Sequence, residues 1–255
     1  MTSAFPQYWF DLTHLGAAGL MLPVALMAGM GLWFDGKRTA ALAWSAALGL
    51  GVAGVLASKI AFMGWGIGSA RLNFTGLSGH TMLASAIFPV WLGWLFAAWN
   101  PRLAALGVAL GLGVGALVGW SRLALGAHSE SEVAMAWLLG GLVSLAAVPG
   151  LRNPVRSSRW PWLVVVLLAL SVDGSLADYL PTRLWEVHIA LHLSGRDKPY
   201  TRAELLRGDR STLASKKNRP SGAASQGGFN YYGPVRTGQP HYKPRLRKEV
   251  FEILS

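Results

Sequence analysis

Six long apolar blocks constrain this chain more than any other feature of its sequence: Leu15–Phe34, Ala40–Met63, Thr81–Trp99, Leu103–Trp120, Val133–Pro149 and Trp160–Leu176. Each approaches the roughly 20 residues that a helix needs to cross a hydrocarbon core. Within lipid a backbone must satisfy its own polar groups, so helices are the form such blocks take. Composition agrees. Charged residues make up 14% of the chain against about a quarter in a soluble domain, and 52% of residues are hydrophobic. The expected fold is therefore all-α, a polytopic membrane protein with six transmembrane helices. The sixth block is short and carries Asp173, to which no role is assigned.

Glycines such as Gly49, Gly51, Gly111 and Gly113 lie inside the blocks and read as surfaces where helices approach closely. Trp33, Trp65, Trp99, Trp120 and Trp160 cluster near block ends, as an interfacial belt requires. Lys37 and Arg38, then Arg102, then Arg152, Arg156 and Arg159 occupy alternate connections, which the positive-inside rule puts in the cytoplasm. The N-terminus, the Gly64–His80 and Ser121–Glu132 loops and the tail then share the outer side. No Lys or Arg precedes the first apolar run, so that run reads as a retained helix rather than a cleaved signal. The chain contains no cysteine, which removes disulfides and thiolate metal sites.

These features divide the chain into a membrane domain, 1–178, and a basic polar tail, 179–255, partly helical and expected in the periplasm. From Leu180 onward there are 14 Lys and Arg against 6 Asp and Glu, which holds most of the formal charge of +11. Such a tail beside a bilayer meets anionic lipid headgroups. Nothing in it forms a nucleic-acid module. Pro181–Leu193 is expected to be an amphipathic helix with Leu184, Val187, His188 and Leu191 on one face, and His188 and His192 as surface residues. Asn218–Gly228 and the aromatic stretch that follows are expected to be flexible, or ordered only against a partner.

The polar chemistry near the membrane is concentrated in the two outer loops. One carries Lys59 and Arg71 and ends Leu77-Ser78-Gly79-His80; the other runs Ser121-Arg122, then His128-Ser129-Glu130-Ser131-Glu132. Each ends with a histidine where a membrane helix begins, and helix N-termini favour anions. Ser129 and Glu132 also have the spacing of a capping box, which by itself explains the acid. Lys59 serves equally as a lysine snorkelling toward the interface, and Arg71 as a headgroup contact.

Ser-Gly-His followed by Ser-Arg-x5-His-x3-acid resembles the second and third motifs of the type-2 phosphatidate phosphatase superfamily of membrane lipid phosphatases. Their order and placement at helix ends are similar too. The resemblance covers about the first two-thirds of the chain. It implies a six-helix core with the active site at the outer leaflet, here the periplasmic face of a bacterial inner membrane. It assigns His128 as the nucleophile that forms a phosphohistidine, Glu132 as the carboxylate orienting it, and His80 as general acid. Lys59, Ser78, Gly79, Ser121 and Arg122 would bind phosphate. It implies no metal and no cofactor. The chain departs from the family pattern at three points. Glu132 replaces Asp, Leu77 replaces Pro, and Gly66-Ile67 stands where the first motif, K-x6-R-P counted from Lys59, has Arg-Pro. Arg71 is the nearest arginine able to substitute.

The function implied is hydrolysis of a phosphomonoester or diphosphate on a membrane lipid. A lipid phosphotransferase using the same intermediate, and a non-enzymatic lipid-binding or transport protein on the same scaffold, are the alternatives.

Overall fold

A computed structural model of the chain describes residues 7–151 and 182–208. Their order is α1 (Gln7–His14), α2 (Ala18–Phe34), α3 (Arg38–Trp65), α4 (Gly79–Trp99), a 3-10 turn at Pro101–Leu103, α5 (Ala104–Ala124), α6 (Glu130–Leu145), α7 (Val148–Leu151) and α8 (Thr182–Ser194). Among these residues four stretches are long and apolar enough to cross a membrane: Gln7–Phe34, Arg38–Trp65, Gly79–Trp99 and Pro101–Ala124. The first joins α1 and α2. The fifth apolar block folds as α6, of 16 residues, and then turns into the short α7. The expected sixth helix lies outside the described residues, among which four spans are found.

Helix α4 is the centre of the bundle. It packs against α2, α3, α5 and α6 and is buried along most of its length. A helix apolar on every side belongs in such a position. Its closest partner is α5, and the reason is a four-residue repeat of glycine. Cβ atoms added at Gly107, Gly111, Gly115 and Gly119 would fall within 2.3 to 2.7 Å of α4 or α6 atoms. On α6, Gly140 makes the same approach to Met82 and Ser85. Lipid provides no hydrophobic drive between helices, so backbone proximity of this kind supplies the packing energy.

The expected glycine surfaces are therefore half realised. Gly51 and Gly111 face neighbouring helices, whereas Gly49 and Gly113 have nothing within 4 Å. This difference sets up a paired test. Gly111→Ala forces a methyl to 2.4 Å from the Pro89 backbone, and should lower stability by about 1–3 kcal/mol. Gly113→Ala meets no atom and should be neutral or stabilising by up to about 1 kcal/mol through helix propensity. Thermal unfolding in detergent separates them, and equal midpoints would refute this account of the α4–α5 contact.

Trp33, Trp65, Trp99 and Trp120 are all well exposed at helix ends, whereas Trp44 and Trp94 are buried. The buried pair satisfy their indole N–H groups by donating to the Ala86 carbonyl at 3.1 Å and to Asp35 at 3.1 Å.

After α8 the chain returns along the end of α3. The Cβ position of Gly64 lies 3.2 Å from the Ala190 carbonyl and from Ser194, and Tyr200 donates its N–H to the Met63 carbonyl at 2.9 Å. The packed face of α8 differs from expectation. Glu186 and Ala190 are its buried residues, while Leu184 is exposed; His188 and His192 are exposed, as expected. Small Ala190 lets the helix approach Gly64, and Glu186 is turned inward by a cation on α3. The stretch from Asn218 onward lies outside the described residues.

Candidate active site

The end of the bundle where α3 and α5 finish and α4 and α6 begin brings together Lys59, Ser78, His80, Arg122, His128 and Glu132. Ser78 is the N-cap of α4, and its oxygen accepts from the Thr81 N–H and hydroxyl at 3.5 and 2.9 Å. His80 follows in the first turn. The Gly76 backbone has φ +142° and packs on Lys59; a side chain there would meet Lys59 Cγ at 2.9 Å. The loop between them is a tight hairpin closed by paired Ser69 and Phe74 hydrogen bonds, with Asn73 at φ +49°. Asparagine is among the few side chains that tolerate this conformation.

Glu132 is the hub. It is fully buried, and Ser129 caps α6 in a capping box with it. Oε2 accepts the Ser129 N–H at 3.1 Å and lies 2.8 Å from His128 Nδ1. Oε1 accepts the Thr75 N–H at 2.6 Å and the Thr75 hydroxyl at 2.7 Å. Both oxygens accept from Arg202 Nη2 at 2.8 Å. The capping and orienting readings of Glu132 thus hold in one geometry, because a carboxylate offers about four lone-pair sites. Burial alone would raise the Glu132 carboxyl. Hydrogen bonds from His128, Thr75 and Arg202 outweigh it and hold the group well below the usual carboxylate range. Against an ionised carboxylate, His128 Nδ1 must carry the proton. That leaves Nε2 with the lone pair.

His128 sits in the loop between α5 and α6, outside the spans. Burial pushes its imidazole below the ordinary 6.5; Glu132 pulls upward, and the positive charges of Arg122 and Lys59 push down again. Arg122, on the last turn of α5, donates from Nη1 to the Thr13 hydroxyl at 2.9 Å. Its Nε is buried and has no hydrogen-bond partner among the described residues. An orphaned buried guanidinium N–H is costly unless an acceptor reaches it. Lys59 Nζ is 2.8 Å from Glu186 Oε1 of α8. His80 lies within electrostatic reach of Arg122, Lys59, His128 and His14.

Two of the expected phosphate ligands are placed differently. Arg71 is exposed and makes no hydrogen bond or ion pair among the described residues. The arginine that reaches Glu132 is Arg202, seventy residues beyond it in sequence. Ser121 is buried, and its hydroxyl donates to the Val118 carbonyl at 2.6 Å, so it is spent on its own helix. Gly79 opens α4 with room beside it; an added Cβ would touch only Val55, at 3.7 Å. Among the described residues no group of three or more His, Asp or Glu side chains converges as a metal site would need. Thr75, Arg202, Glu186 and Thr13 escape motif reasoning because no fixed spacing links them to the histidines.

Residues 55–156, which include both histidines, Arg122 and Glu132, match the PAP2 superfamily. Over 206 residues the chain is 38% identical to an uncharacterised 22.5 kDa protein in the cps region of Klebsiella pneumoniae, a match covering 77% of this chain and 97% of that protein. No solved structure matches. On the family match, which takes in His80, Arg122, His128 and Glu132, the chain belongs to the PAP2 superfamily.

Proposed function

We propose that the chain is a membrane lipid phosphatase that works through a phosphohistidine on His128. The family supports phosphoric-ester hydrolysis at the coarse level, and the apolar helices support a membrane protein. The observation that carries the finer reading is the His128–Glu132 contact at 2.8 Å, which pins Nδ1 and leaves Nε2 free.

In the first step the Nε2 lone pair attacks phosphorus, the P–O ester bond breaks, and His80 protonates the departing oxygen. In the second, water attacks the phosphohistidine and the P–N bond breaks. His80 takes the proton from that water, and inorganic phosphate leaves. Arg122, with its unpartnered Nε, supplies a donor to the phosphoryl oxygens, joined by Lys59 and the Gly79 N–H at the start of α4. Glu132 holds the imidazole tautomer and stabilises its charge.

The substrate class is a phosphomonoester or diphosphate on a lipid whose headgroup reaches the outer face of the inner membrane. The positive-inside distribution of Lys37, Arg38 and Arg102 supports that orientation.

The test is phosphate release by purified protein in detergent, from a panel of lipid mono- and diphosphates, with and without EDTA. Release from at least one lipid, insensitive to EDTA, is expected. A label passed to a second lipid without free phosphate would establish a phosphotransferase instead. The pH profile gives an independent reading. His128 must be neutral to attack, and its imidazole is held below 6.5, so the acidic limb of the kcat/KM profile should lie below 6.5, while loss of the proton from the general acid His80 sets the alkaline limb. An acidic limb at or above 6.5 would contradict the assignment of His128 as nucleophile.

A further inference from the structure

Arg202 lies outside the residues matched to the family, in the segment that follows α8. It opens a helical stretch, 202–208. Thr201 and Glu204 cap that stretch reciprocally: the Thr201 N–H and hydroxyl donate to Glu204 at 2.7 and 2.9 Å, and the Glu204 N–H donates back at 3.3 Å. The cap fixes the backbone from which Arg202 reaches inward. Its Nη1 donates to the Asn73 carbonyl and side-chain oxygen at 3.3 and 3.0 Å. Its Nη2 donates to the Thr75 hydroxyl at 3.0 Å and to both Glu132 oxygens at 2.8 Å. One guanidinium therefore ties the hairpin loop to the buried carboxylate.

We infer that Arg202 is a positioning residue: it locks Glu132 and the loop at 73–75 in place, and so sets both the orientation and the effective charge felt by the His128 imidazole. This inference rests on the reading of His128 as nucleophile. Two consequences of the geometry support it.

The first is orientational. Glu132 Oε2 can aim at His128 Nδ1 only if the carboxylate plane is fixed, and the donors that fix it besides Ser129 are Thr75 and Arg202. Arg202 also holds Thr75. Losing the guanidinium thus loosens two of the three supports. The second is electrostatic. The charged and titratable groups facing His128 are Glu132 on α6, Arg122 on α5, Lys59 on α3 and His80 on α4. Glu132 alone would draw a proton onto the imidazole and block its lone pair. Arg202 offsets part of the Glu132 charge, so the carboxylate can orient the ring with a weaker pull on its proton. Arginine suits this task better than lysine because its planar fork makes several fixed bonds at once.

The experiment uses the full-length protein in micelles with isotopically labelled histidine. The His128 ring signal is assigned by its loss in a His128→Gln spectrum. Its titration is followed in wild type, Arg202→Gln and Arg202→Lys, and turnover is measured in the same samples. Arg202→Gln should raise the His128 midpoint by about one pH unit and lower kcat by roughly 10- to 100-fold. Arg202→Lys retains the charge, so its midpoint should stay near wild type while kcat falls by about 5-fold for want of the fork. Unchanged midpoint and turnover in Arg202→Gln would overturn the inference. If that variant does not fold, Arg202→Lys decides: wild-type turnover there overturns it, and reduced turnover at an unmoved midpoint upholds it. A midpoint that moves in a protein releasing no phosphate would sink the hydrolase reading and leave the clamp standing.

Discussion

Replacing His128 with alanine should reduce phosphate release by on the order of 10⁴-fold or more, because removing a covalent nucleophile removes the reaction path rather than one of its supports. The loss should fall on kcat with little effect on folding. His128 lies in a loop, and the polar contact its ring makes is to Glu132, which keeps four other donors from Ser129, Thr75 and Arg202. Rapid-quench labelling with a radioactive phosphate donor provides the direct check. Wild type should carry an acid-labile, base-stable phosphoenzyme that the variant lacks. A variant that still turns over, or still takes up label on a histidine, would move the nucleophile elsewhere, with His80 the first residue to examine.

Glu132→Gln should have the second largest effect, and it should be double. Every neighbour of this carboxylate is a donor: His128 Nδ1 and Ser129 N on one oxygen, Thr75 N and Oγ1 on the other, and Arg202 across both. Whichever way the glutamine amide turns, its NH2 faces a backbone N–H and the Arg202 guanidinium, neither of which can accept. If it faces His128, the imidazole adopts the other tautomer, which costs about 10³- to 10⁴-fold in kcat by analogy with triads that have lost their acid. The Arg202 charge is left without its partner, and because that side chain is one-third exposed the loss should cost less than the roughly 3–5 kcal/mol of a fully buried pair. Turnover and thermal unfolding measured on the same preparation should therefore fall together. Normal unfolding with lost turnover would show that Glu132 is purely catalytic; normal turnover would remove it from the reaction.

The helices were legible because apolar runs long enough to cross lipid have few other ways to fold. The fifth block illustrates the limit, since hydropathy gives its existence but not the turn at 146–147 that splits it into α6 and α7. The His128–Glu132 contact is legible for a local reason: a four-residue spacing across a helix start brings side chains together. Arg202 and Glu186 are not, because their partners lie 70 and 127 residues away and composition shows only a basic tail. Much of that charge suggests lipid headgroups, yet one arginine is folded back into the bundle. Arg71 was the natural substitute by proximity in sequence, but the closed hairpin of Ser69 and Phe74 leaves it exposed. The inward face of α8 was misjudged because Glu186, at its centre, is polar, and an apolar-face rule passes over a residue buried for its charge.

The central position of α4 bears on how the protein responds to the membrane around it. A bilayer of changing thickness acts on a protein through the helices it touches, tilting or compressing them at a cost of a fraction of a kcal/mol per Å of mismatch. Here α5 and α3 present far more of their surface outward than α4, which is sheathed by its neighbours. Adjustment to lipid length therefore falls first on the outer helices. His80 and Ser78 sit on the sheltered one, so that end of the site keeps its register while the periphery accommodates a thicker or thinner host membrane.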